Sequence, residues 1–144
     1  MTMTDVAALD TTLHKTSIWL NDILDELKWQ DRQRAYHALR ETLHALRDRL
    51  TVEEAVDLGS QLPMLIAGVY YHGWTLRDKP VKLNKQEFLA RIGSSFRNDP
   101  EADPEKIARA IFRVLEKRIT EGELKDVKAC LPKDLQQLWA DAVG

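Results

Sequence analysis

His37, Glu41, His44 and Asp48 are spaced four, three and four residues apart, which on a helix sets them along one ridge. Imidazole and carboxylate groups in that arrangement can hold a metal ion. Glu41-x-x-His44 also has the spacing used by di-iron helical bundles, which need two such pairs and two further glutamates, all facing inward. The plain alternative is a solvated polar face, and that is the expectation taken forward.

The remaining reactive groups are isolated. Cys130 is the only cysteine, so neither an intramolecular disulfide nor a cysteine zinc site can form. No base stands near it in sequence, and an inert, partly buried thiol is expected. Ser94-Ser95 lies in a helical stretch, away from any nucleophile elbow. Arg40, Arg49, Arg109 and Arg118 are expected to cover core with their stems and to pair with carboxylates. An anion site built from them would lack a glycine-rich phosphate loop. Trp19, Trp29, Trp74 and Trp139 read as core anchors, since no basic residues interleave with them as single-strand binding asks. Neither a catalytic set nor a metal or cofactor site is complete, and the chain reads as non-catalytic.

Several helices must position these groups. Leu13, Ser17, Leu20, Leu24 and Leu27 make a helical stripe over about 13–28. Asp31 caps a second helix with Ala35, Leu39, Leu43, Leu46 and Leu50 on its apolar face. Thr51-Val52-Glu53-Glu54 reads as a capping box, with hydroxyl and carboxylate each satisfying a backbone N–H. Pro63 suits the first position of a fourth helix, and Gly73 ends it. A polar connector over 74–83 leads to Asn84-Lys85-Gln86-Glu87, another capping-box pattern. Asp103-Pro104-Glu105 opens the next helix, Thr120-Glu121-Gly122-Glu123 a further one, and Pro132 the last. No convincing strand alternation occurs, so the chain is read as all-α.

Shifted by 69 residues, the sequence matches itself. Arg40 falls on Arg109, Leu46 on Leu115, Thr51 on Thr120, Glu54 on Glu123, Asp57 on Asp126 and Leu62-Pro63 on Leu131-Pro132. The expectation is one domain over 1–144, a pseudo-symmetric bundle of two units of about four helices, at about 13–74 and 84–142. Glu41 and His44 fall on Ala110 and Arg113, so a second di-iron half-site is missing.

Leu43-His44-Ala45-Leu46-Arg47-Asp48-Arg49-Leu50, Gln61-Leu62-Pro63 and Tyr70-Tyr71-His72-Gly73-Trp74 together resemble bacterial domain-of-unknown-function family 2267. The resemblance spans about 16–139. It implies an all-helical fold and carries no activity.

The two units differ most in the fourth helix. Met64 to Tyr71 is apolar all round, whereas its counterpart from Lys133 to Trp139 is amphipathic. A helix apolar on every side must be covered on every side, by the core or by a partner. Met64, Leu65, Gly68, Tyr71, His72 and Trp74 are therefore the candidate surface for a protein partner or a second copy. The competing reading is a small-ligand binder or enzyme with a pocket between the units.

Composition narrows the field. A net charge of −2 with mixed signs offers no footprint for nucleic acid and no membrane anchor. The first ten residues lack a basic n-region and an apolar h-region, and no run approaches the ~20 apolar residues of a membrane span. A cytoplasmic location is the expectation.

Overall fold

The computed structural model describes residues 3–144. Met1 and Thr2, which begin the segment read for a leader, lie outside the described residues. The described residues form eight α-helices and no strand. They are α1 (Ala7–Leu27), α2 (Arg32–Arg49), α3 (Val52–Ser60), α4 (Met64–Tyr71), α5 (Lys85–Gly93), α6 (Pro104–Arg118), α7 (Glu121–Ala129) and α8 (Lys133–Val143). One 3-10 turn, Ser94–Phe96, extends α5. No described helix is long and apolar enough to cross a membrane.

Caps set most of the boundaries. Asp31 accepts from the Gln33 N–H, Asp103 from Glu105, and Asn84 and Glu87 complete a reciprocal box. Thr51 and Thr120 accept from the N–H groups of Glu54 and Glu123. The carboxylate halves of those two expected boxes do not form, because α3 packs on α7 and turns both glutamates toward each other. Pro63 and Pro132 stand at the N-cap instead of the first helical position, their ψ angles of 150° and 162° being extended. α1 starts at Ala7, one and a half turns before the apolar stripe begins, because its exposed first turns bury little. Gly73 takes φ +75°, the left-handed conformation that stops α4.

The buried stripes of α2 and α6 meet at the centre, Leu39, Leu43 and Leu46 against Ile107, Ile111, Phe112 and Leu115. α1 and α5 each pack on both central helices. α4 lies against α1, α2 and α3, and α8 against α5 and α6. Boundaries recur at the offset of the repeat: α3 covers 52–60 and α7 covers 121–129, while α4 begins at 64 and α8 at 133.

Thr51→Ala and Thr120→Ala should each cost about 1 kcal/mol in urea unfolding. Thr120→Ala should cost the more, since its hydroxyl also donates to Gln61 Oε1 at 3.1 Å. Equal losses from exposed threonines that cap nothing, such as Thr75, would undo the assignment.

Candidate functional site

α4 is anchored by its neighbours at both ends. Its Leu65 N–H donates to the hydroxyl of Thr12, a buried residue of α1, at 2.9 Å. At the other end Arg47 Nη1 donates to the carbonyls of Tyr70 and His72, at 2.6 and 2.7 Å. A guanidinium there satisfies free carbonyls and complements the helix dipole. His44 Nε2 donates to the Val69 carbonyl at 2.7 Å. Ile66 and Tyr70 face the core, and the Tyr70 hydroxyl donates to the Ala55 carbonyl.

The opposite face of α4 is open. Met64 is 56% exposed and Leu65 39%, with Gly68 and His72 exposed beside them. All-round burial of this helix, one of the two expected outcomes, is not what forms: the core covers one face alone. Tyr36, Arg40, Leu65, Gly68, Val69 and His72 line a groove of about 480 Å³ between α4 and α2. An ideal Cβ placed on Gly68 would find no heavy atom within 4 Å. Leu65, Gly68 and His72 thus share one groove, with Met64 on the same helix one residue before Leu65. Tyr71 and Trp74 do not line it. Their rings meet at a tilt of 37°, 5.5 Å between centres, and the Tyr71 hydroxyl donates to the Val56 carbonyl of α3.

A family model described as "Uncharacterized conserved protein (DUF2267)" matches residues 16–138. The chain belongs to the DUF2267 family. No curated protein matches it. The description of the DUF2267 family names no activity.

The ridge from His37 to Asp48 does not converge on a metal, and its C-terminal half is not solvated either. Asp48 is 3% exposed and forms the hub of an ion cluster with Arg47, Lys79 and Arg91. Its backbone carbonyl also accepts the Val81 N–H, so the hub fastens the 74–83 connector to the end of α2. Burial alone would raise the Asp48 pKa; the hydrogen bonds and charges of Arg47 and Arg91 outweigh it and hold it below 3.8. Glu41 pairs with Arg40 and accepts from Ser95. Burial, which disfavours the charged imidazolium, lowers the His44 pKa from its ordinary value despite the Val69 contact.

Three of the four recurring arginines make contacts within the fold. Arg118 makes a two-pronged pair with Asp22 of α1, Arg109 pairs with Glu105, and Arg49 Nε donates to the Leu83 carbonyl. A cleft lined by Lys15, Trp19, Gln61, Pro63 and Arg118 does join the two halves. Neither His72 nor Arg40 nor Arg109 reaches it, and it holds no nucleophile–base pair.

Sequence reasoning read Glu54 and Glu123 only as capping groups. One carboxylate oxygen of each of Glu54, Glu123 and Asp126 lies within 4.8 Å of the other two. Burial and the neighbouring carboxylates of Glu54, Asp57 and Asp126 push the Glu123 pKa up to about 8. The signal lies in the 69-residue self-match of the sequence, in which Glu54 falls on Glu123 and Asp57 on Asp126, together with the packing of α3 on α7.

Proposed function

We propose that this chain is a non-catalytic interaction module that takes up an amphipathic helix of a partner protein along the open face of α4. The observation that carries the reading is the exposed apolar Leu65 side chain beside Gly68, which has none. A glycine inside a helix costs about 1 kcal/mol relative to alanine. Nothing within the molecule requires it at 68, since the space above it is open. What it does permit is close approach of another backbone. The lining of the groove includes Arg40 and His72 and no carboxylate; Arg40 shares its guanidinium with Glu41 beside the groove. Apolar side chains at helical spacing with an acidic residue beside them would fit it, in the helix-in-groove manner. A second copy fits less well, because a twofold contact on this face brings Arg40 and His72 toward their own counterparts. The same reading takes the two units as related by an internal twofold. It is supported by the paired packing of α1 on α6 with α5 on α2, and of α3 on α7. The α4 face then belongs to one unit only, as its counterpart in α8 carries Gln137 where α4 has Gly68.

Gly68→Ala should stabilise the protein by about 0.5–1 kcal/mol in urea unfolding. Gly68→Gln should keep the fold and fill the groove. A photoreactive side chain at Leu65 in living cells should give an adduct of one defined mass. That adduct should fall about tenfold with Gly68→Gln and be absent when the probe sits at Val143. Equal labelling from both positions, or labelling indifferent to Gly68→Gln, would sink the docking reading.

A further inference from the structure

The acidic cluster between α3 and α7 lacks a counter-charge. None of the ion pairs among the described residues involves Glu54, Asp57, Glu123 or Asp126. Glu123 is 9% exposed, and its Oε2 is buried with no hydrogen-bond partner. Glu54 Oε1, from the matching position of the other unit, is buried and unpartnered in the same way. Burying carboxylate oxygens side by side without a partner is costly, and the buried Asp48 carboxylate by contrast is surrounded by three cations. The N-termini of α3 and α7 supply only partial positive charge.

We infer that Glu54, Glu123 and Asp126 bind a hard divalent cation, of the calcium, magnesium or manganese class, at the crossing of α3 and α7. The donor set is all carboxylate oxygen, with no imidazole or thiolate, which selects hard cations over zinc or copper. Three carboxylate oxygens within 4.8 Å of one another can share a single ion at the 2.0–2.6 Å ligand distances of these metals. Asp126 is exposed, so the ion has access from solvent and water can complete its coordination. Asp57, also exposed, adds negative charge from the α3 side. The ion would bridge the two units at the point where their first-turn glutamates oppose each other. A shared proton is the rival means of relieving the same repulsion, and it predicts indifference to metal.

The test is thermal unfolding of the full chain at pH 7.5 in EDTA, then in 10 mM CaCl2, MgCl2 or MnCl2, with NaCl matched for ionic strength. An apparent Kd of about 0.1–1 mM, the range of weak calcium sites, would raise Tm by about 4–8 °C in at least one of them. Glu123→Gln should melt no lower than wild type in EDTA, and should lose the metal-dependent rise. Glu53→Gln, an exposed first-turn neighbour outside the cluster, should keep the rise. Should Glu123→Gln fail to fold, substoichiometric Mn2+ added to wild type decides: it should broaden the NMR signals of Glu54, Glu123 and Asp126 first. A Tm indifferent to all three cations, or a rise that survives Glu123→Gln, or broadening spread over all surface carboxylates, overturns the site.

Discussion

Asp48→Ala is expected to cost about 3–5 kcal/mol, the penalty for breaking a buried ion pair and leaving its partner charge without compensation. Arg47 is 5% exposed, so its guanidinium cannot turn to water when the carboxylate is gone. The loss does not stay local. Arg47 also binds the last carbonyls of α4, and Lys79 and Arg91 tie the connector and α5 to the same carboxylate. In thermal unfolding Tm should fall by about 10–15 °C. Asp48→Asn, which keeps the volume but not the charge, should behave similarly. Arg47→Met with Asp48→Ala should cost less than the sum of the two single changes, since the second removes the charge that the first leaves stranded. The pH dependence has a defined sign. The folded pKa of Asp48 is depressed, so its stabilisation is present above the unfolded carboxylate value near 4 and lost as pH falls through the folded one. Asp22, held low by Arg118 and Lys117 against its own desolvation, adds in the same direction. Wild type should therefore lose stability below about pH 4, and Asp48→Ala should show a shallower acid limb. A cost under 1 kcal/mol for Asp48→Ala would mean that water reaches the hub.

The parts of this structure that local chemistry controls were legible in the sequence. A cap needs one side chain and the backbone two or three residues on, and Asp31, Thr51, Asn84, Asp103 and Thr120 all cap as their types and positions imply. The apolar stripes of α2 and α6 were legible because helical periodicity reports which face is buried. What lies across from a face is another matter. α4 is apolar enough to be wrapped on every side, yet the elements beside it cover only Ile66 and Tyr70. The polar ridge of α2 reads as solvated until Arg91 and Lys79, far along the chain, are brought over Asp48. Glu54 and Glu123 show both regimes at once. Their backbone N–H groups do what the capping motif says, while their carboxylates answer to the crossing of α3 and α7. Tyr71 and Trp74 are near Leu65 in sequence, but Tyr71 leaves α4 on the side facing α3, and Trp74, past the turn at Gly73, packs against its ring.

Trp139→Ala is the second large effect, expected at about 3–5 kcal/mol as a large-to-small change in a packed core. Trp139 is fully buried and stacks on Phe112, ring centres 4.2 Å apart and planes at 12°. Its Nε1–H donates to Glu116 Oε1 at 2.8 Å. Truncation opens a cavity in α6–α8 packing and takes a neutral donor from Glu116, which keeps Lys128. Trp139→Phe separates the two contributions: it retains most of the packing and should cost about 1–2 kcal/mol. Tyr70→Phe probes the matching position in the first unit, where the hydroxyl donates to the Ala55 carbonyl, and should cost about 1 kcal/mol. The shape of the transition carries further information. α6 packs against α1 and α2 as well as α8, and Phe112 also meets Phe88 of α5. Damage at Trp139 is thus transmitted to the first unit through the central helices. Trp139→Ala should lower one cooperative transition, seen alike by circular dichroism and by hydrogen exchange of α2 amides. If α2 stays protected while α6 and α8 melt, the halves fold separately, and the single-domain reading of the chain fails with them.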